Sequence, residues 1–488
     1  VKGQKFAKIT FRKFGCQFRR IRMTRSPSGM KSNPEQTGEQ NERPSGRLAL
    51  ALLAPIVGTV SGLLGAIFRL ALERADHFRN AAIIWGHRPN VARVFIVVAA
   101  CAGGAGLAAW MVRRFSPSAA GSGIPEVEAV LEGERHDAPY RAIPVKFFGG
   151  LLAIGSGLAL GREGPSFQMG ASIAHFVGKA FKRNWPDCRV LMAAGAGAGL
   201  ATAFNSPIAG ALFVLEELVK RFELRIAIVA IGASSSAMVV ARFFLGDMPD
   251  FHVQALPYPS NVMMSLSFVL GVLAGFAAIV YNRAILGALS AADQLHQWPV
   301  ELRAAIIGGA VGILAWFAPD LVGGGDLLTQ RTLIGEGTIA MIPLTFLVRF
   351  ALGAVSYASE TPGGLFAPML ALGVQLGLLF GLLCRSISSD PNIQPEAFAV
   401  VGMAAFFCGV VRVPLTGIVL VTEMTGNVTM LLPMLAACYA ATLVPALLGS
   451  APIYESLSAR GVQVSQGSKS RADLFRKLLA AQMAIRKN

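Results

Sequence analysis

The sequence is short of charge. Asp, Glu, Lys and Arg make up only 15% of its 488 residues, against 53% for the hydrophobic types, and the mean hydropathy is +0.55. A water-soluble chain of this size needs more charge to cover its surface, which excludes a soluble globular architecture. Paired cysteines are lacking as well. Cys16, Cys101, Cys188, Cys384, Cys408 and Cys438 are scattered, with no CxxC, and read as small apolar packing residues. The histidines are isolated, without HExxH or similar spacing, which excludes a metal site. No nucleophile–base constellation stands out, so the chain is not read as an enzyme, and no cofactor is expected. The net charge of +16 does not point to nucleic acid. The basic residues gather in the amino-terminal arm and in loops, the bias that orients membrane proteins.

What is present is a series of long apolar runs. Leu48 to Leu70, Val94 to Val112, Ser265 to Tyr281, Leu365 to Cys384 and Met430 to Leu448 carry almost no charge. A straight helix needs roughly 20 apolar residues to cross a bilayer. Other runs are shorter and are cut by Gly and Pro. Together they predict an all-α integral membrane protein.

Residues 1–46 form a basic arm, expected to be disordered and cytoplasmic. The arm lacks the apolar core of a secretory signal, and its arginine-rich, acid-poor opening is also transit-peptide-like. Met23 and Met30 lie inside it, so the start is expected further in than Val1. A polar stretch, 251–261, links two membrane halves, 47–250 and 262–460. The basic tail, 461–488, is too short for a regulatory domain and is expected to make one amphipathic helix, Arg471 to Ile485.

The halves repeat. Pro207, Gly210 and Glu216 are spaced as Pro414, Gly417 and Glu423 are, and upstream Pro165 and Gly170 echo Pro368 and Gly373. Repeated halves with broken helices place a transporter's substrate site at the repeat interface.

Three Gly- and Pro-rich segments interrupt the apolar runs: Gly121-Ser-Gly-Ile-Pro125, Gly161-Arg-Glu-Gly-Pro165 and Gly363-Gly-Leu-Phe-Ala-Pro368. Each has a Pro suited to the first turn of a helix, and Gly where backbone can approach a ligand. A helix start bears unpaired N–H groups and about half a positive charge, and in lipid it needs a partner. Several starts aimed at one spot form an anion site without a full positive charge, weak enough to release a chloride. Ser122 adds a hydroxyl beside the first start. The plainer alternative is that such breaks mark loops or helix packing.

Glu163 sits at the second helix start, where it would compete with an anion and leave when protonated. The alternatives are that it caps its own helix or pairs with Arg162. Glu217, beside Glu216, ends the apolar run Ile208 to Leu215, and Lys220, Arg221 and Arg225 follow. Those basic residues mark this end as cytoplasmic, and Glu217 can take protons there; alternatively both acids pair with the bases. Glu128 and Glu423 read equally as structural or functional. Tyr454 offers a phenol to an anion, or anchors at the membrane interface.

GSGIP at 121–125, GREGP at 161–165, GGLFAP at 363–368 and the late Tyr454, in this order, resemble the CLC family of chloride channels and chloride/proton antiporters over residues 48 to 460. Lys146-Phe-Phe-Gly-Gly150 and the Glu216–Glu217 pair look like the bacterial antiporters. The resemblance implies a CLC-type inverted-repeat bundle of tilted and broken helices. It implies a homodimer with one anion pathway per subunit, in the inner (plasma) membrane with both termini cytoplasmic. It implies chloride bound as substrate by Ser122, Gly123, Ile124, Gly164, Phe366, Ala367 and Tyr454, with Glu163 as external gate and Glu217 as internal proton-transfer acid. Channel members generally lack that internal acid, so Glu217 favours an antiporter over a passive, voltage- or pH-gated channel. Ser at 122 favours chloride over nitrate. Two departures stand out. Glu360 occupies a loop position where relatives have Gly or another small residue, and a carboxylate there can repel anions, bind Arg or titrate. No paired CBS module follows the membrane body.

Overall fold

The apolar runs become helices, and the Gly-Pro breaks become their ends. The computed structural model describes residues 44–87, 91–134, 140–388 and 393–462. The amino-terminal arm before residue 44, Cys16 within it, and the expected helix Arg471 to Ile485 lie outside the described residues. In chain order the first half contains α1 (Pro44–Gly86), α2 (Val91–Phe115), α3 (Ile124–Leu131), α4 (Ala142–Gly155), α5 (Glu163–Ala180), α6 (Trp185–Phe204), α7 (Pro207–Phe213) and α8 (Leu224–Leu245). The second contains α9 (Asn261–Gln294), α10 (Val300–Phe317), α11 (Asp326–Leu333), α12 (Met341–Tyr357), α13 (Phe366–Ser388), α14 (Pro395–Val411), α15 (Pro414–Thr425) and α16 (Leu431–Leu447). Residues 453–462 are also helical. Among the described residues, six helices are long and apolar enough to cross a membrane, and others are apolar but shorter. This is a multi-pass membrane protein built from full and partial helices.

The halves are related by an inverted repeat. Helix α5 packs along α6 as α13 packs along α14. Each pair meets at two glycines. A methyl on Gly170 would lie 2.1 Å from the Gly195 carbonyl oxygen, and one on Gly373 would lie 2.6 Å from that of Gly402. Without a hydrophobic force between helices in lipid, such backbone-to-backbone approach supplies the packing. Both second helices, α6 and α14, end in left-handed caps, Asn205 and Arg412. Both lead into a helix opening with Pro, α7 and α15.

These two short helices exchange carboxylates. Glu216 accepts from Leu415 N at 3.1 Å, Thr416 N at 2.7 Å and the Thr416 hydroxyl at 2.7 Å. Glu423 accepts from Ile208 N at 3.2 Å and Ala209 N at 2.9 Å. Each acid fills the unpaired amides at the start of the other repeat's helix. The alternative pairing of Glu216 with the nearby bases is not what forms, and Glu423 takes the structural of its two readings.

The segment between α8 and α9 is non-helical and turns back on the body: Phe251 N donates to Met424 O at 2.9 Å. Asp250, at its start, accepts from both Arg69, at 2.8 Å, and Arg162, at 3.1 Å.

Candidate functional site

The three Gly-Pro segments meet. Gly121 N donates to Thr361 O at 3.2 Å and Gly363 N to Gly121 O at 3.1 Å, which joins the first segment to the third. Gly161 and Gly364 exchange two backbone bonds, of 2.9 and 2.8 Å, which joins the second to the third. A methyl on Gly164 would lie 2.6 Å from the Ser122 carbonyl oxygen, so the first and second also touch. The starts of α3, α5 and α13 are thereby drawn to one buried place, where extended backbone survives because each strand-like piece satisfies another.

Glu163 is fully buried at this crossing. Its Oε1 accepts from the Phe366 amide, 2.7 Å away, at the first residue of α13. Its Oε2 has no hydrogen-bond partner. The walls of its seat are main chain: a methyl on Gly161 would fall 1.9 Å from Oε2, and one on Gly364 2.0 Å from Oε1. Glu163 therefore occupies the amide end of a different helix. Arg162 turns elsewhere, to Asp326 at 3.0 Å, Asp250 at 3.1 Å and Ala203 O at 2.7 Å.

Ser122 is buried, with its backbone N donating to the Tyr357 hydroxyl at 3.4 Å and its Oγ accepting from Ile124 N at 3.3 Å. Gly123 caps α3 in the left-handed region, φ 80°, against Gln168. Tyr454 is fully buried, which removes the reading of an interfacial anchor; its ring lies 6.0 Å from that of Phe366, and its hydroxyl has no partner. Phe366 is enclosed by Phe204, Phe213 and Phe407, at ring distances of 5.9, 5.3 and 4.7 Å. Ala367 follows it, also buried. A fixed amide bundle and a buried phenol without a partner fit an anion.

Glu217 is placed apart from this crossing, on a π-helical turn, Val214–Leu218, that continues α7. It is buried, and no hydrogen bond or ion pair among the described residues joins it to Glu163. Lys220 does not pair with it; its Nζ bonds Glu128 at 2.7 Å, which gives Glu128 a structural partner. π-Turns inside helices are frequent at functional positions.

Two cavities flank the crossing, with different linings. One, of 310 Å³, is lined by residues including Arg69, Glu73, Arg162, Asp250 and Asp326. The other, of 390 Å³, reaches Ser122 and is lined also by Glu126, Asp293, Tyr357, Glu360 and Arg460.

Sequence reasoning left several participants without a role. Lys146 is fully buried, and its Nζ donates to Gly121 O at 2.6 Å, securing the first segment. A lone Lys within the apolar run 142–155 was the available signal. Tyr357, which holds Ser122 N, gave none. A counterpart of the first segment also went unread: Pro319 to Gly325, leading into α11, are spaced as Pro117 to Gly123, leading into α3. Its Gly325 cap is likewise left-handed, φ 98°.

Comparison with known proteins agrees with this geometry. The family profile described as voltage gated chloride channel matches residues 104–446. The chain is 38% identical over 431 residues to the H(+)/Cl(-) exchange transporter ClcA of Cronobacter sakazakii, covering 85% of this chain and 90% of the relative. It is 37% identical over 429 residues to ClcA of Yersinia pseudotuberculosis, covering 85% and 88%. Among solved structures, a slow cyanobacterial Cl-/H+ antiporter superposes with a TM-score of 0.80 at 31% identity, covering 87% of this chain and 99% of that one. A CLC-type fluoride/proton antiporter, 21% identical, shares the fold with a TM-score of 0.71 over 85% and 98%. With its repeat, its crossing of helix starts and these matches, the chain belongs to the voltage gated chloride channel family, the CLC family.

Proposed function

We propose that this protein is a chloride/proton antiporter, and that the crossing of α3, α5 and α13 is its anion site. The observation that carries this reading is the 2.7 Å bond from the Phe366 amide to Glu163. A carboxylate sits where a helix dipole and free amides favour an anion, so it and a halide compete for the same donors. Protonation removes its charge and its claim on the amide. One residue can thus open the anion path and carry the proton. The antiporter names of the relatives support the same reading.

In this reading Ser122, Gly123, Ile124, Gly164, Phe366, Ala367 and Tyr454 hold chloride, with the free Tyr454 hydroxyl as a donor. Neutral donors hold the ion without trapping it. Glu163 is the gate. Glu217 passes protons between the cytoplasm and the crossing. The chain sits in the inner (plasma) membrane with both termini cytoplasmic, and works as a homodimer. Exposed apolar side chains such as Ile228, Ile231, Val239 and Phe243 on α8 suit lipid or a second copy.

The test is flux in proteoliposomes of purified protein, with chloride and pH followed together. An imposed chloride gradient drives protons uphill in the wild type. Glu163→Ala abolishes that proton movement and keeps chloride flux. Wild-type chloride flux without proton movement would instead make the protein a passive channel, and retained coupling in Glu163→Ala would remove Glu163 as the gate.

A further inference from the structure

Ser122 brings two donors to the entrance of α3, its amide and its hydroxyl, and one side chain from the other repeat faces both. Tyr357, the last residue of α12, is buried. Its hydroxyl oxygen accepts from Ser122 N at 3.4 Å and also faces the Ser122 hydroxyl. It lies close over the same turn: a methyl on Gly121 would fall 3.0 Å from it. Tyr357 and Ser122 both line the 390 Å³ cavity, so the phenol stands where that cavity meets the crossing. Two acids of the lining are paired, Glu360 with Arg303 at 3.8 Å and Asp293 with Arg460 at 2.5 Å. Glu360 thus takes the arginine-binding one of its three readings. At Ser122 itself, the group that stands in an anion's place is neutral.

The arrangement has a parallel at the start of α13. There the Glu163 carboxylate holds the Phe366 amide at 2.7 Å, as the Tyr357 phenol holds the Ser122 amide. In both, a side-chain oxygen occupies a main-chain donor that a halide would use. The two bonds differ in strength. The carboxylate's is short and charge-assisted, whereas the phenol's is neutral and long. A chloride also forms the charge-assisted class of bond, so it displaces the phenol without any need for a proton.

We propose that Tyr357 is a displaceable placeholder for the anion at Ser122: its hydroxyl oxygen satisfies the Ser122 donors while the seat is empty and competes with chloride for them. The proposal deepens the chloride-transport reading above and rests on it. A buried donor without a partner is costly, so the phenol stabilises the empty seat. The same bond must break when chloride arrives, so it lowers the affinity of the site. Tyr357 is thereby a residue that sets chloride affinity on the cavity side, as a neutral counterpart to the acid on the Phe366 amide.

The experiment compares the wild type with Tyr357→Phe and Tyr357→Leu. Chloride binding to purified protein in detergent is read by titration calorimetry, and the chloride dependence of flux is read in proteoliposomes. Both variants lack the hydroxyl, and the first keeps the ring. Tyr357→Phe is expected to bind chloride roughly threefold more tightly or better, the worth of one ordinary hydrogen bond. The gain is expected in KM rather than in turnover at saturating chloride. Loss of a purely structural contact leaves chloride binding unchanged or weakens it, so either of those results overturns the proposal. Tyr357→Leu carries the same test if Tyr357→Phe does not fold. If neither folds, the hydroxyl is a structural support and the proposal is overturned as well. A wild type that neither binds nor carries chloride sinks the transport reading and this proposal with it. A transporting wild type whose Tyr357→Phe variant binds chloride no more tightly sinks this proposal alone.

Discussion

Glu216 and Glu423 cap each other's helices. Glu216, at the end of the α7 run, accepts from the first amides of α15, and Glu423, near the end of α15, accepts from those of α7. The exchange is the repeat made visible as chemistry: two short helices lie antiparallel, each one's acid at the other's start. It also separates the neighbours Glu216 and Glu217. The first is fixed by three hydrogen bonds, and the second stays out of that cap on the π-turn.

Glu216→Ala strips α15 of its cap and leaves three donors unmet. A loss of about 1–3 kcal/mol in stability is expected, from the usual worth of a charged cap. Glu423→Ala should cost a similar amount at α7. Thermal unfolding in detergent, followed by size-exclusion fluorescence, checks both. A Glu216 variant as stable as the wild type would show that the cap contributes nothing.

Glu217→Gln should stop proton movement and leave chloride flux within about twofold of the wild type, since an amide cannot relay a proton and the anion donors are untouched. The measurement is paired chloride and pH recording in proteoliposomes. Full coupling in this variant would remove Glu217 from the proton route.

Ser122→Pro deletes the hydroxyl and also the backbone N–H that now meets Tyr357. Nitrate preference should rise several-fold relative to chloride, as read by anion competition for flux. Unchanged selectivity would count against the placement of the anion at Ser122.

Gly170→Ala puts a methyl 2.1 Å from the Gly195 carbonyl oxygen, so α5 and α6 must part. Overpacking of this kind costs about 1–3 kcal/mol or more. A drop in thermal stability larger than that of Gly103→Ala, where an added methyl meets nothing within 4 Å, is the expected result.

Much of this architecture was legible in the residues. Apolar runs named the helices, and the spacing of Pro207, Gly210 and Glu216 against Pro414, Gly417 and Glu423 announced the repeat. The three Gly-Pro segments gave the helix starts at the crossing. What remained hidden was pairing across the chain. Nothing local to Glu163 says that its partner is the amide of Phe366, or that Arg162 is claimed by Asp250 and Asp326. The α11 counterpart of α3 escaped because its helix, Asp326–Leu333, is polar and its glycine cap precedes no apolar run. Tyr357 was invisible because its contact is to a main-chain nitrogen, which any sequence supplies.

The seat of Glu163 is bounded by Gly161, Gly364 and the Phe366 amide, and none of these presents a side chain to it. Evolution therefore has little to adjust in the cradle itself, because any β-carbon at either glycine would evict the acid. Divergence toward another ion or another stoichiometry must run through what occupies the cradle or what borders it, namely position 163, Ser122 and Tyr454. Homologues with new selectivities should keep the two glycines and differ at those three places.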